Sequence, residues 1–126
     1  MKGPERVARV LLAEDDEAVS AFVHRALNLR GHSVTVVSDG VAALEAIAAG
    51  DFDLLLTDIV MPGMDGIALS LKVSRDRPSM KILLMSGYAH ERQRAHNLES
   101  LIHKVLTKPF TLAEICEAVE EALAAP

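Results

Sequence analysis

Short apolar segments alternate with longer amphipathic segments along the chain. Five apolar segments are rich in valine, isoleucine and leucine and are bounded by turns or charges: 7–13, 33–38, 52–57, 81–85 and 104–107. These features are typical of β-strands. The first, third and fourth segments are apolar with little interruption, which predicts strands that are covered on both faces.

The segments between the strands have the periodicity of amphipathic helices. Four helices are expected around 19–27, 41–47, 67–75 and 89–98. Gly31 and Gly50 are expected to end the first two, and Pro78 follows the third. The fourth is polar and lacks a clear apolar stripe, so its boundaries are the least defined by the pattern.

A fifth helix begins with a capping box, Thr111-x-x-Glu114. Four of its residues are expected to face the core: Leu112, Ile115, Val119 and Leu123. The chain therefore alternates strand and helix five times. This order predicts an α/β fold with a parallel sheet, right-handed crossovers and helices on both faces.

Composition and charge narrow the class of protein. A chain of 126 residues, half of them hydrophobic, suits one domain, and we expect a single domain over 1–126 with its core at about 7–124 and no effector domain. The net charge of −5 argues against nucleic-acid binding. The N-terminus resembles neither a secretory signal nor a membrane span, and the single cysteine, Cys116, fits a reducing cytoplasm.

Polar residues follow four of the five predicted strands. They are Glu14-Asp15-Asp16 after the first, Thr57-Asp58 after the third, Ser86-Gly87 after the fourth and Thr107-Lys108-Pro109 after the fifth. Parallel strands place their carboxyl ends along one edge of the sheet, where ligands bind in open α/β folds. We therefore expect carboxylates, a hydroxyl and an ammonium group to converge there.

The charges of this group predict a metal site. Glu14, Asp15 and Asp58 carry three negative charges, and Lys108 carries one positive charge. A hard divalent cation such as Mg²⁺ would neutralise the two negative charges that remain. A bound cation, together with Lys108 and Ser86, could hold the oxygens of a phosphoryl group. The predicted chemistry is phosphoryl transfer onto Asp58 as a carboxylate nucleophile.

Each of these groups also has an ordinary structural explanation. The acidic triplet could be a solvated helix start, Asp58 could begin a turn, Lys108 could be a surface lysine and Ser86-Gly87 a simple turn. The occurrence of all four at the ends of four strands favours a shared site. The five histidines lack the tight spacing of a zinc site, so no zinc is expected.

The motifs "LLAEDD", "LLLTDIVMPGMDG", "LLMSGY" and "TKPFTLAEI" resemble those of the receiver domain of bacterial response regulators over essentially the whole chain. The resemblance implies a flavodoxin-like doubly wound fold with strand order 2-1-3-4-5. It also implies signalling through a two-component phosphorelay. A receiver is not a metabolic enzyme: it catalyses its own phosphorylation and its own slow dephosphorylation.

The resemblance also implies a role for each site residue. In the family's arrangement, Asp58 would accept the phosphoryl group, Asp15 would bind Mg²⁺ directly and Glu14 would reach it through water. Asp58 and the backbone carbonyl of Val60 would complete the protein ligands, Ser86 would be the switch hydroxyl, and Lys108 would contact the phosphoryl group.

A further resemblance concerns the segment "MSGYAHERQRAHNLESLIHKVLTKPF", which is similar to the CpdR type of alphaproteobacteria. That type is tied to cell-cycle control. It implies a histidine kinase or a histidine phosphotransferase as phosphoryl donor. It also implies that the unphosphorylated form acts as an adaptor for the ClpXP protease, by protein contact alone.

One position departs from the family pattern. Many receivers carry Tyr or Phe three residues before the lysine, whereas this chain has Val105, which cannot make the same ring rotation. Signalling would then run through the backbone after Ser86 and through the fourth helix. The basic segment 88–104 is either the output surface or a solvated helix face, and Tyr88 either borders the site or is a plain surface aromatic.

Three other functions compete with a phosphorylation switch. A haloacid-dehalogenase-type phosphatase needs a second Asp two residues after the nucleophile, where this chain has Val60. An FMN binder needs a phosphate-binding loop after the first strand, where this chain has three acids. A receiver-like adaptor that is never phosphorylated is the alternative that the residues leave open.

Overall fold

The computed structural model describes residues 7–98 and 100–125, without the side chains of residues 89 and 97. The five strands are Arg9–Ala13 (β1), Ser33–Val37 (β2), Leu54–Asp58 (β3), Lys81–Ser86 (β4) and Lys104–Thr107 (β5). The five α-helices are Glu17–Leu29 (α1), Gly40–Ala49 (α2), Gly66–Asp76 (α3), Ala89–Ala95 (α4) and Leu112–Ala124 (α5). The predicted alternation of strand and helix is confirmed.

The strands form one parallel sheet in the order β2-β1-β3-β4-β5, as the family resemblance implied. Residues Val10–Ala13 of β1 and all five residues of β3 are buried, and so is every residue of β4 except Lys81. The prediction that the first, third and fourth strands are covered on both faces is therefore confirmed.

Two apolar clusters cover the two faces of the sheet. On one face, Val10 and Leu12 of β1 pack with α1 and α5. On the other, Leu11 and Ala13 pack with α2, α3 and Ala95 of α4. Because successive strand residues point to opposite faces, each central strand contributes to both clusters. The rigid sheet thus fixes the carboxyl edge at which the predicted site lies.

Several element boundaries differ from the sequence prediction. The first strand begins at Arg9 and the third at Leu54. Just before their pairing starts, Asp53 and Arg9 exchange one backbone and one side-chain hydrogen bond, each of 2.8 Å. The third strand extends through Asp58 and the fourth through Ser86. Both site residues are therefore held in sheet structure.

The helices also show differences in burial. Leu112, predicted to face the core, is 37% exposed, and the partly buried Phe110 packs on this core ahead of α5. The fourth helix is shorter than predicted and continues as a 3₁₀ turn over His96–Leu98. It does have a buried stripe, formed by Glu91, Ala95 and Leu98. Among the described residues, none of the helices is long and apolar enough to cross a membrane.

Candidate functional site

Three carboxylates meet at the carboxyl edge of the sheet. Glu14 follows β1, Asp58 ends β3, and oxygen atoms of Glu14, Asp15 and Asp58 all lie within 4.8 Å of one another. Glu14 and Asp58 are buried, with 2% and 8% of their surfaces exposed, whereas Asp15 is exposed. The cluster that the sequence predicted is therefore present, with one of its acids open to solvent.

The acidic triplet after β1 divides between two tasks. The backbone N–H of Glu14 donates to the carbonyl of Val37 at 3.0 Å. This bond extends the pairing of β1 with β2 by one residue and holds Glu14 at the edge of the sheet. Asp16 instead caps α1: its carboxylate accepts the backbone N–H groups of Ala18 and Val19 at 2.9 and 3.2 Å. Only the first two acids of the triplet belong to the cluster.

Asp58 is held in place by a close approach of the chain behind it. The backbone N–H of Gly66 donates to the carbonyl of Ile59 at 2.7 Å, and a Cβ at position 66 would lie 2.0 Å from the carbonyl oxygen of Asp58. Gly63, with φ of +72°, makes the preceding turn. The glycines of "MPGMDG" thus let the loop fold back against the end of β3, where Asp58 lies.

Lys108 joins the acids from the loop after β5. Its Nζ donates to Oε1 of Glu14 at 2.8 Å and lies 3.3 Å from Oδ1 of Asp58. The Lys108–Pro109 peptide bond is cis. The backbone N–H of Lys108 donates to the carbonyl of Ser86 at 2.8 Å, so the ends of β4 and β5 are tied together. The predicted ammonium group is therefore within bonding distance of two of the three acids.

The electrostatics of the cluster follow from burial and crowding. Burial and the nearby charge of Glu14 raise the pKa of Asp58 to about 7, although Lys108 acts in the opposite direction. Burial alone would lower the pKa of Lys108, but its hydrogen bond to Glu14 and the charge of Asp58 raise it overall. The charge of one ammonium group does not balance the negative charges of three carboxylates.

Ser86 is fully buried and its hydroxyl faces the start of α4. Its Oγ lies 2.8 Å from the carbonyl oxygen of Tyr88 and 3.1 Å from Oε1 of Glu91. The backbone N–H of Gly87 also donates to Oε1 of Glu91, at 3.1 Å. The sequence prediction missed Glu91: its spacing of four residues places it on the same helix face as Ala95, but a glutamate does not count as apolar in the helical pattern.

The basic segment after β4 lines an open groove. Arg92, Gln93, His96 and Val105 surround a volume of about 590 Å³. Arg92 donates to the hydroxyl of Thr107 at 3.1 Å, and Arg94 is paired with Asp65, the residue that caps α3. Tyr88 is 66% exposed and stacks on His90 at 5.7 Å between ring centroids. Tyr88 thus lies on the surface, and Val105 is one of the residues that line the groove.

The sequence of most of the chain matches a known family. Residues 10–120 match the family model for the response regulator receiver domain. The chain belongs to this family. Receiver domains are signalling modules of two-component systems, and the order of the strands and the acidic cluster agree with that assignment.

Three relatives illustrate the range of proteins in which such domains occur. The chain is 39% identical to the response regulator receiver protein CpdR of Brucella abortus, over 93% of this chain and 98% of that protein. It is 36% identical to part of the sensor kinase CckA of the same organism, over 92% of this chain but 12% of the kinase. The crystal structure of a receiver domain from a Pseudomonas fluorescens HD-domain protein has a TM-score of 0.85 at 26% identity, with 94% and 95% of the chains covered.

Proposed function

We propose that this receiver is a phosphorylation switch in which Asp58 accepts a phosphoryl group. The observation that carries the proposal is the convergence of Glu14, Asp15 and Asp58 with Lys108 at one strand edge. The carboxylates can hold a cation, and that cation together with Lys108 would neutralise and orient a phosphoryl group, whose charge must be stabilised during transfer.

The donor set fits Mg²⁺. Three carboxylate oxygens within 4.8 Å of one another are hard ligands with net negative charge, and the exposure of Asp15 leaves room for water and phosphoryl oxygens. Glu14, Asp15, Asp58 and the backbone carbonyl of Val60 would hold the ion. When bound, Mg²⁺ would lower the repulsion among the carboxylates and neutralise charge on the phosphoryl oxygens.

The transfer step assigns a task to three side chains. A carboxylate oxygen of Asp58 attacks the phosphorus of a phosphohistidine, the new P–O bond forms as the P–N bond breaks, and the donor imidazole keeps the electron pair and takes up a proton. Lys108 neutralises charge on a phosphoryl oxygen, and Ser86 donates its hydroxyl proton to another. Water later cleaves the acyl phosphate and restores Asp58.

The similarity to CpdR and to the receiver segment of the sensor kinase CckA supports a phosphorelay with a histidine kinase or a histidine phosphotransferase as donor. The similarity to CpdR over nearly the whole of both chains supports output by protein contact. The ClpXP protease, which the resemblance to the CpdR type implies, is proposed as a candidate target in cell-cycle control. A cytoplasmic location is part of the same proposal. An adaptor that acts without phosphorylation is the second candidate, since Lys108 already pairs with Glu14 and Asp58.

Intact-mass measurement after incubation with Mg²⁺ and acetyl phosphate tests the proposal. The account expects one added phosphoryl group, absent when EDTA replaces Mg²⁺ and absent in Asp58→Asn. Phosphorylated histidine phosphotransferase serves as a second donor. Failure of both donors with folded, Mg²⁺-binding protein would overturn the proposal and favour the unphosphorylated adaptor.

A further inference from the structure

The carboxylate of Glu91 occupies an unusual place for an acid in the first turn of a helix. Acids are common there because they interact favourably with the helix dipole, but an exposed side chain suffices for that role. Glu91 is only 4% exposed. Its Oε1 lies 3.1 Å from two donors of the preceding loop, the Ser86 hydroxyl and the Gly87 backbone N–H. The burial of the Glu91 carboxylate against these two donors indicates a role beyond interaction with the helix dipole.

We propose that Glu91 is a positioning residue that holds the Ser86 hydroxyl on the α4 side and thereby opposes the phosphorylated state. The inference rests on the proposed function, since it concerns the same hydroxyl that would bind a phosphoryl group on Asp58. It adds a residue, Glu91, that neither the sequence motifs nor the acidic cluster include. It also gives a route from the site to α4 that needs no aromatic residue at position 105.

The proposal follows from the single proton of a serine hydroxyl. Ser86 Oγ has two acceptors within reach, Oε1 of Glu91 at 3.1 Å and the carbonyl oxygen of Tyr88 at 2.8 Å. If Ser86 donates this proton to a phosphoryl oxygen, neither Glu91 nor the carbonyl of Tyr88 can accept it. Of the two donors that the described residues supply to Glu91, the Gly87 N–H then remains, and a buried carboxylate that loses a donor is destabilised.

The loss of this donor acts directly on α4. The backbone N–H of Glu91 donates to the carbonyl of Tyr88 at 3.1 Å, so Ser86, Tyr88 and Glu91 form a closed set of contacts at the start of the helix. Within the described part of the chain, Tyr88 adds no side-chain cap to the helix. When the set opens, the carboxylate of Glu91 in the first turn of α4 must find a new donor, and Arg92 at the edge of the groove moves with this turn.

A double-mutant cycle on the affinity for beryllofluoride, a phosphoryl mimic, tests the coupling. Titrations with Mg²⁺ and beryllofluoride compare the wild type, Glu91→Ala and Glu91→Gln, each with Ser86 present and in the Ser86→Ala background. Glu121→Gln, an exposed glutamate of α5, is the matched control. We expect Glu91→Ala to tighten binding about fivefold to tenfold, the size expected for release of a hydroxyl from a charged acceptor.

The cycle separates positioning from structural damage. In the Ser86→Ala background, Glu91→Ala is expected to leave the affinity unchanged, because the hydroxyl through which it acts is absent. Glu91→Gln, which keeps an accepting oxygen without the charge, is expected to lie between the wild type and Glu91→Ala. An equal change in both backgrounds, or no change in either, would overturn the proposal.

A second measurement keeps the inference separate from the proposed function. If the wild type fails to bind beryllofluoride, that result counts against the proposed function, and the hold of Glu91 on the Ser86 hydroxyl is tested separately by amide hydrogen exchange without ligand. Ser86→Ala and Glu91→Ala are each expected to speed exchange over residues 91–95 by about fivefold or more, with Glu121→Gln unchanged. Amide protection of α4 that stays at the wild-type level in both variants would contradict the proposed hold of Glu91 on Ser86.

Discussion

At the scale of single residues, the site is defined by a carboxyl group that is hard to ionise. Asp58 ends a buried strand, lies beside Glu14, and has Lys108 as its ion-pair partner. Burial and the charge of Glu14 together raise its pKa to about 7. In the absence of a cation, part of the folded protein therefore carries a proton on Asp58 near neutral pH.

This raised pKa makes stability depend on pH. The folded-state pKa of about 7 exceeds the ordinary 3.8, so the folded protein binds the proton more tightly than the unfolded chain. The favourable contribution is complete below about pH 4 and is lost as the pH rises through about 7. In EDTA, the free energy of unfolding of the wild type should fall relative to that of Asp58→Asn by about 2 kcal/mol as the pH rises from 4 to 8. This value is reduced for partial solvent screening.

Urea unfolding at several pH values measures this relative fall, and saturating Mg²⁺ should stabilise the wild type much more than Asp58→Asn. A stability difference between the two proteins that stays constant from pH 4 to pH 8 contradicts the raised pKa.

Lys108 has opposite effects on metal binding and on phosphoryl transfer. Its ammonium group lies 2.8 Å from Glu14 and competes with a cation for the acids. We expect Lys108→Ala to bind Mg²⁺ at least as tightly as the wild type, yet to accept phosphoryl groups about 100-fold more slowly, as for loss of one charge-stabilising donor. Calorimetric titration and timed intact-mass spectra measure the two effects, with exposed Lys72→Ala as the control. Weaker Mg²⁺ binding with unchanged transfer would be the contrary result.

At the scale of elements, the loop after β1 separates two adjacent acids by function. Asp16 caps α1, whereas Asp15 faces the cluster. Asp16→Ala is expected to lower the free energy of unfolding by about 1 kcal/mol with Mg²⁺ affinity nearly retained. Asp15→Asn is expected to weaken Mg²⁺ binding more than about tenfold with little change in stability. Thermal unfolding and Mg²⁺ titration of both variants check this, and exchanged effects would show that the assignment is wrong.

Gly66 controls the position of Asp58 from the loop after β3. Because a Cβ there would lie 2.0 Å from a backbone oxygen, Gly66→Ala must displace the end of β3. We expect a loss of about 2 kcal/mol or more in unfolding free energy, as for overpacking of a core, together with weaker Mg²⁺ binding. Gly63→Ala, at a position with free space but positive φ, is the comparison and should lower stability with less effect on Mg²⁺ affinity. Equal Mg²⁺ affinities in all three proteins would show that the approach does not position Asp58.

The elements also show what the sequence could and could not predict. Apolar segments bounded by acids were enough to predict the sheet and the meeting of Glu14, Asp58 and Lys108, because parallel strands fix that edge. The division between Asp15 and Asp16 depends on which residue begins α1, and an acidic triplet alone does not determine that. The role of Glu91 was missed because a buried glutamate does not count as apolar in a periodicity pattern.

At the scale of the whole molecule, the sheet joins the site to the short helix α4. The cores on both faces of the sheet fix the acidic edge, whereas α4 has only seven residues and begins at contacts with Ser86. A ligand that binds the folded site stabilises the entire domain by mass action. With Mg²⁺ present and beryllofluoride at 100 times its Kd, we expect a gain of about 2.7 kcal/mol. Chemical unfolding measures it, and the same gain in Asp58→Asn would show that the ligand binds elsewhere.

The most direct test of the central claim identifies the phosphorylated atom. After phosphorylation with Mg²⁺ and a donor, borohydride reduces an aspartyl phosphate to homoserine, and fragment mass spectra of the digested chain locate the altered residue. The account predicts homoserine at position 58 alone, with no conversion in EDTA. Conversion at Asp15 or another acid, or phosphate retained on a histidine with position 58 unaltered, would contradict it.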